Sequence, residues 1–513
     1  MGDVQRGETM SDKAVGVETG RTYQLGVSRP PLQVADLPTP EEVWRVPRVG
    51  RKEAFKYAVG PSFIALGAAI GSGEWLLGPL SVGKNGFIGI GWIITVSILL
   101  QVIYNIECSR YVIATGEVPI VGFARVPPGR MFWVPLSLFL IFFSYIWGGW
   151  AKGAADGLFS LINGRIPTPD DKGAVELLAI LLLAAILGIT VGFRRITRGL
   201  EFVNGAIVAL VIVYLVIVSV AVVPLDVWWD GITGFLTPAA PPKGVTATEI
   251  GSLAGFAALL SGFNWVFLNH YRDKSYGMGH RVGYLTGFRG TQREVLGSGF
   301  TFPDDARNAS VWKRWIRFLY LDMWGVFLTG AVVGMLVPTS LMRHLALTSG
   351  RQPERATVTT FAADVLGSQY GRWIFYTTLL VGFLILFSTQ LGIFEVLVRN
   401  ATDAANISPR VRTVMGDDPR RVYFTFMVVL LVTIGIVLHF FQPTELIQIS
   451  ANMSNLGAII FPFVFIYLNR RLPKAARPSK WAYAGLMANV VFFGFFFVNF
   501  VVEKLTDKPL VTF

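Results

Sequence analysis

The sequence predicts an all-helical membrane protein with about eleven transmembrane helices, and three observations support that prediction. The 513-residue chain is 53% hydrophobic and only 15% charged, whereas soluble domains carry about 25% charged residues. Its apolar residues form runs of roughly twenty, the length that crosses a hydrocarbon core of ~30 Å. Two of these runs, five spans apart, are interrupted near the middle by glycine and polar residues. This composition excludes a water-soluble enzyme.

The apolar runs place the predicted spans at 54–82, 86–114, 131–162, 174–193, 200–223, 249–268, 316–337, 372–398, 421–440, 444–468 and 479–502. Residues 1–53 are polar and lack a signal-peptide core, so we expect a disordered cytoplasmic tail. Most of the 45 Lys and Arg residues lie in that tail and in the even-numbered loops. The positive-inside rule therefore places the N-terminus in the cytoplasm and the tail 503–513 outside the plasma membrane. The net charge of +12 follows from this topology, and we expect no nucleic-acid partner.

The first span carries the run Gly71-Ser72-Gly73-Glu74 near its middle. Gly costs about 1 kcal/mol against Ala inside a helix, and a charged side chain at mid-bilayer costs at least ~2.5 kcal/mol on insertion scales. We therefore predict an unwound segment that offers backbone groups and Glu74 to a ligand. In the structural alternative, the glycines let a neighbouring helix pack closely and Glu74 pairs with a buried partner.

Charged pairs in the second and third spans have two interpretations each. Glu107 and Arg110 are three residues apart near the cytoplasmic end of the second span, which favours a structural ion pair over a proton relay. Lys152 and Asp156 are four apart in the third span, where we expect a pair that reaches the outer interface. If they lie deeper, Lys152 could act in place of a coupling cation. In the seventh span, Asp322 could relay protons or be paired.

The sixth span contains the second interruption, Ser261-Gly262 followed by Asn264. Interruptions at corresponding positions of two five-helix halves indicate an inverted-repeat transporter that holds its substrate at the bilayer midplane. The halves would be 54–223 and 249–468, with 479–502 as an additional helix. Two unrelated glycine packing sites are the alternative.

The tenth span has a polar stripe, because Gln448, Asn452 and Asn455 recur at i, i+4 and i+7 on one helix face. Such a stripe must face protein or water rather than lipid. It either lines a substrate path or makes interhelical hydrogen bonds of about 0.6–2 kcal/mol each.

Four short motifs lie in or beside the predicted spans: Gly60-Pro61-Ser62-Phe63-Ile64-Ala65, Leu99-Leu100-Gln101 through Arg110 to Ala114-Thr115-Gly116, Arg198-Gly199-Leu200-Glu201, and Pro462-Phe463. In order and spacing they resemble the Nramp divalent-metal transporters over about residues 54–502. The resemblance implies a LeuT-like fold of five plus five inverted helices and one additional helix, with helices 1 and 6 broken.

The metal-site motifs of that family are replaced in this chain. The family's Asp-Pro-Gly-Asn corresponds to Gly71–Glu74, and its Met-Pro-His-Asn corresponds to Ser261–Asn264. A thioether favours soft transition metals, so Ser261 in place of methionine argues against selective uptake of Mn or Fe over Mg or Ca. Glu74 and Asn264 remain as hard oxygen donors, and we predict them as the metal ligands.

Three functional hypotheses remain. The first is a secondary transporter of a hard divalent cation (Mg, Mn or Ca), with the proton coupling that the resemblance implies. Its substrate-binding residues would be Gly71, Ser72, Gly73, Glu74, Ser261, Asn264, Gln448 and Asn452. The second is a transporter of a small organic or anionic solute, whose anionic group the half-helix N-termini would hold, although Glu74 would repel it. The third is a channel or a non-transporting sensor. We expect a monomeric transport unit and no cofactor, and no catalytic motif predicts an enzyme.

Overall fold

The computed structural model describes residues 73–192, 196–258, 262–265, 271–272, 276–279, 299–354, 358–406, 419–440 and 443–513. The predicted disordered tail, 1–53, lies outside these ranges. The regular structure of the described residues is helical, with an isolated antiparallel bridge between Thr246 and Thr512.

The helices up to the middle of the chain are α1 (Gly78–Asn85), α2 (Gly91–Thr115), α3 (Pro119–Phe123), α4 (Arg130–Tyr145), α5 (Gly149–Asn163), α6 (Lys172–Gly192), α7 (Ile196–Val222) and α8 (Leu225–Leu236). The remainder are α9 (Ala247–Ala258), α10 (Ala306–Tyr320), α11 (Leu328–Ser349), α12 (Val358–Tyr370), α13 (Arg372–Asn406), α14 (Pro419–Val437), α15 (Pro443–Asn469) and α16 (Lys480–Thr506).

Eight helical segments among the described residues are long and apolar enough to cross a membrane. They correspond to eight of the eleven predicted spans. The other three are covered less fully. The first span is described only from residue 73, the sixth span is described in part, and the apolar helix Arg421–Val437 of the ninth span is shorter. The chain is thus a multi-pass membrane protein. In the most apolar stretch of Arg372–Ala405, 83% of the residues are buried, against 33% in that of Lys480–Thr506, so the first segment is the more central of the two.

Local sequence signals explain several helix ends. Asp305 accepts a hydrogen bond from the backbone N–H of Asn308 at the start of α10, and Ser479 accepts one from Ala482 at the start of α16. Both are N-cap residues that satisfy a backbone donor left free by the helix. Gly116 and Gly164 adopt left-handed conformations after α2 and α5, which ends those helices.

The sixth span is interrupted as predicted. Its helix α9 is described as far as Ala258, and at the next described residue Gly262 has φ of +83°, a conformation that glycine adopts without strain. The backbone N–H of Trp265 then donates to the carbonyl of Gly262 over 3.1 Å. This turn puts Asn264 in irregular backbone, which is tolerated at membrane depth only where protein or water surrounds it.

The first span also departs from a regular α-helix. A five-residue π-helical segment, Gly73–Leu77, precedes α1 and contains Glu74. A Cβ built at Gly73 would lie 2.8 Å from the carbonyl oxygen of Phe256 in α9, so only glycine permits this approach. Gly71 and Ser72, the other predicted residues of this break, lie outside the described residues.

A π-helical segment in the seventh span was not predicted. It runs from Leu321 to Phe327, joins α10 to α11, and contains Asp322. π-Helical turns are rare and occur often at functional sites.

Candidate functional site

Glu74 lies inside the protein rather than against lipid, since 2% of the residue is exposed. Its π-helical segment packs against α9, α11, α12 and α15. The first break therefore meets both the sixth and the tenth spans, as an inverted-repeat site requires. The neighbouring Trp75 lies against Gly382 of the central helix α13, where a Cβ would come within 3.1 Å of its indole nitrogen.

Asn264 is fully buried at the break of the sixth span. Its Nδ2 donates to Oδ1 of Asn105 in α2 over 2.5 Å. This bond fixes the orientation of the amide, and Oδ1 of Asn264 has no hydrogen-bond partner among the described residues. A buried amide oxygen left in this state is a ready ligand for a cation. Ser261, the residue that replaces the family's methionine, lies outside the described residues.

Aromatic side chains surround the second break, and sequence analysis missed this cluster. The Tyr145 ring is 5.1 Å from Phe263 and stacks on Phe256 with centroids 6.3 Å apart. On the other side, the Trp265 ring is 4.9 Å from Phe461. The break therefore has largely apolar walls, in which a polar group such as the Asn264 oxygen would interact strongly.

The polar stripe of the tenth span makes interhelical hydrogen bonds to α9. Nδ2 of Asn455 donates to the carbonyl of Gly251 over 3.1 Å, and Nδ2 of Asn452 donates to that of Thr248 over 3.4 Å. The oxygen atoms of both amides have no partner among the described residues. Half-buried Gln448 and buried Asn452 also line a cavity of about 240 Å³. The stripe thus makes interhelical hydrogen bonds, and two of its residues also line a cavity.

Glu107 and Arg110 form a buried, two-bond ion pair, with contacts of 2.9 and 3.1 Å. Asn469 of α15 donates to the Glu107 carboxylate over 3.2 Å, and Arg110 donates to the Tyr320 hydroxyl over 3.2 Å. The pair therefore joins α2 to α10 and α15, which is the structural role that the spacing favoured.

Lys152 has an ion-pair partner outside its own helix. Its Nζ lies 3.3 Å from Oε1 of Glu176 in α6 and donates to the carbonyl of Leu438 over 2.9 Å. His439 contacts the other oxygen of Glu176 at 2.5 Å. Lys152 is 5% exposed and joins α5 to α6 and to the end of the ninth span. The sequence did not predict Glu176 as its partner.

Two buried polar contacts join the residues just after the sixth span to later spans. Tyr271 donates to Oδ2 of Asp322 over 2.5 Å. Arg272 pairs with Asp403 at 3.7 Å. Asp322 is fully buried, so its carboxylate is held by groups inside the protein. No spacing in the sequence could have indicated these partners.

Another buried pair fixes the connection after α2. Glu117 accepts bonds of 2.6 Å from Arg125 and from the Tyr111 hydroxyl, and one of 3.0 Å from the backbone N–H of Gly299. Burial alone would raise the pKa of Glu117, but the Arg125 charge and these hydrogen bonds outweigh it and hold the pKa below its ordinary value. Glu117 therefore stays ionised and holds two loops together.

No protein-family model matches the chain, and no curated protein matches its sequence. Its structure, however, is similar to solved structures. A mutant of the Eremococcus coleocola manganese transporter aligns with a TM-score of 0.58 over 93% of each chain, at 13% identity. MhsT in complex with L-phenylalanine aligns with a TM-score of 0.57 over 90% of this chain and 99% of that one, at 14% identity. The fold is LeuT-like. It is the predicted five-plus-five inverted repeat of about eleven transmembrane helices, with helices 1 and 6 broken.

Proposed function

We propose that the protein is a secondary transporter of a hard divalent cation, with Mg²⁺, Mn²⁺ and Ca²⁺ as the candidate substrates. The observation that supports this most directly is Oδ1 of Asn264, a fully buried oxygen with no donor among the described residues. An oxygen without a donor costs about 1–3 kcal/mol unless something positive approaches it. A cation at the break would remove that cost.

Glu74 supplies the charge in this proposal. Mg²⁺ is usually held by one or two carboxylates and keeps several of its waters. Glu74 and Asn264 would be the side-chain ligands, and Gly71, Ser72, Gly73 and Ser261 would contribute backbone or hydroxyl oxygens. Gln448 and Asn452 would line the path to this site.

Orientation, coupling and assembly belong to the same proposal. The distribution of Lys and Arg favours a cytoplasmic N-terminus and an extracytoplasmic C-terminus in the plasma membrane. Buried Asp322, hydrogen-bonded to Tyr271, is the candidate for a proton-carrying carboxylate. One chain would form one transport unit, because each of the two breaks packs against α15 of the same chain.

The test is uptake into proteoliposomes that contain a fluorescent divalent-cation indicator, with and without a pH gradient. We expect saturable uptake of at least one of the three cations. In Glu74→Gln, KM should rise at least about tenfold, equivalent to ~1.4 kcal/mol. Glu354→Gln removes an exposed carboxylate far from both breaks in sequence and serves as the matched control. Absence of flux from folded protein would overturn the proposal, and flux that does not saturate would indicate a channel.

A second candidate, a transporter of a small organic solute, is favoured by the aromatic cluster of Tyr145, Phe256 and Phe263 at the second break. Aromatic faces bind apolar groups and organic cations. If no divalent cation is transported, a thermal-stability screen with amino acids and amines would test it. A ligand of this class should lose its stabilising effect in Phe263→Ala.

A further inference from the structure

A cavity of about 240 Å³ lies where α9 and α15 begin and α16 ends. Each helix contributes one carboxylate to its lining, namely Glu249, Glu445 and Glu503. We call it the three-helix cavity.

The three-helix cavity is separate from the breaks that carry the proposed transport site. Glu249 lies seven residues before Phe256 on α9, and Phe256 is the residue that lies against Gly73 of the first break. At 1.5 Å per residue this separation is about 10 Å. The cavity lies on the side of the membrane at which α16 ends, close to the chain's C-terminus.

The charges around the three-helix cavity attract a cation. The carboxylates are opposed by one ammonium, that of exposed Lys504, and by the N-termini of α9 and α15, each equivalent to about +0.5 charge. The C-terminus of α16 adds about −0.5, so a net charge of roughly −1.5 remains.

Glu503 is the residue that helix stability does not explain. Glu249 and Glu445 lie in the first turns of their helices, where a carboxylate is favourable whatever its function. Glu503, in contrast, lies near the C-terminal end of α16, where the helix dipole disfavours negative charge. Its presence there indicates a role that offsets this cost.

Three of the residues that line the three-helix cavity have a buried oxygen atom without a hydrogen-bond partner among the described residues. Asn452 is 1% exposed, and its Nδ2 is directed to the carbonyls of Thr248 and Gln448. Within the described residues, Oδ1 of Asn452, Oγ1 of Thr248 and Oε2 of Glu503 are buried atoms without a partner. The three atoms can accept hydrogen bonds, so they match a ligand whose surface donates them.

The size of the cavity favours a hydrated ion over a bare one. Among the described residues, no three His, Cys, Asp or Glu side chains are close enough to hold a metal ion directly. At ~30 Å³ per water, the cavity has room for about eight waters, enough for a divalent cation with its first shell of about six. The waters of that shell would donate to the carboxylates and to the unpartnered oxygens.

We propose that the three-helix cavity captures a hydrated divalent cation through its water shell, before the ion moves to the break at Glu74. This inference rests on the proposed function and adds to it a second, outer-shell site. The inference depends most on Glu503, whose charge opposes the dipole of its helix, and on Asn452, whose buried oxygen has no partner among the described residues.

Hexaamminecobalt(III) tests the proposal, because its ligands do not exchange and it can bind only through its outer shell. Calorimetric titration of the full chain in detergent should show saturable binding that Mg²⁺ displaces. In Glu503→Gln the Kd should rise at least about tenfold. It should stay within about twofold of wild type in Glu354→Gln, the exposed control. Glu445→Gln, at an exposed position, should also weaken binding and provides a second variant if Glu503→Gln unfolds.

The outcomes separate this inference from the proposed function. The capture site would be overturned, even with Mg²⁺ uptake intact, if hexaamminecobalt(III) does not bind. It would also be overturned if wild type, Glu503→Gln and Glu445→Gln bind the complex equally well. Binding that depends on Glu503 without uptake of any divalent cation would support the cavity and overturn the transport proposal. Displacement by organic amines but not by Mg²⁺ would overturn the choice of a divalent cation.

Discussion

Asn105 holds Asn264 in place, with a 2.5 Å hydrogen bond from Nδ2 of Asn264 to Oδ1 of Asn105. The bond connects α2 to the break of the sixth span, two elements 159 residues apart. By engaging the amide nitrogen, it leaves the amide oxygen for another ligand. Asn105 is thus a positioning residue for the proposed cation site.

We therefore expect Asn105→Ala to raise KM for cation uptake about three- to tenfold, because the Asn264 amide can then rotate. Stability should fall by about 1–3 kcal/mol for the buried donor left unpaired. Uptake kinetics and thermal unfolding measure the two effects. Ser97→Ala is the control, since buried Ser97 on the same helix bonds, within the described part of the chain, only to the carbonyl of Ile93. An unchanged KM in Asn105→Ala would contradict the positioning role.

Lys152→Met should destabilise the protein, because it leaves Glu176 without the cation 3.3 Å away. Removing one partner of a buried pair costs about 3–5 kcal/mol. We expect the lower end of that range, since half-exposed His439 still contacts Glu176. The double variant Lys152→Met with Glu176→Gln should recover most of the loss. Thermal unfolding measures the stability of both variants. A double variant no more stable than Lys152→Met would contradict the pairing of Lys152 with Glu176.

The spans and their interruptions could be predicted because they depend on local composition. Gly262 is an example, since a glycine beside Ser and Asn inside an apolar run indicates a turn without knowledge of any partner. Partners distant in sequence could not be predicted. For Asp322 the sequence left open a proton relay or a pair, and its bond to Tyr271 arises only when the residues after the sixth span pack against the seventh. Lys152 was assigned to Asp156 because the two are one turn apart on a helix, yet tertiary packing brings Glu176 to it.

The candidate site was predictable in part for the same reason. The residue types at the breaks indicated oxygen ligands, and Oδ1 of Asn264 has no hydrogen-bond partner among the described residues. The polar stripe was visible in the spacing of Gln448 and Asn452. The carboxylate that completes the three-helix cavity, Glu503, comes from the additional helix α16, and nothing in its local sequence links it to the tenth span.

The ion pair of Glu117 with Arg125 predicts a pH dependence of stability. Because the folded state holds the pKa of Glu117 below its ordinary value of about 4.3, its contribution is complete above that value. The contribution is lost as the pH falls through the folded pKa. Near neutral pH we expect Glu117→Gln to lower stability by about 3–5 kcal/mol, the cost of leaving Arg125 buried without its partner.

Thermal unfolding between about pH 3.5 and pH 7 measures this dependence. The difference between wild type and Glu117→Gln should be largest near neutrality and should shrink at the acid end. Glu354→Gln, which changes an exposed carboxylate, should run parallel to wild type. A difference that is constant with pH would show that Glu117 acts by packing and not by charge.

Gly255 permits the close contact of α9 with α15 on which both sites depend. A Cβ at this position would lie 2.5 Å from the carbonyl of Ala451 and 2.6 Å from Oδ1 of Asn455. We expect Gly255→Ala to cost about 1–3 kcal/mol and to separate the helices. Gly188→Ala is the matched control, because a Cβ there meets nothing within 4 Å and alanine favours the helix by up to ~1 kcal/mol. Thermal unfolding compares the stability of the two variants. Gly255→Ala should also weaken hexaamminecobalt(III) binding, because overpacking moves α15 as a whole. Equal stability of the two variants would show that the helices can separate freely, and the geometry of both proposed sites would then lose its support.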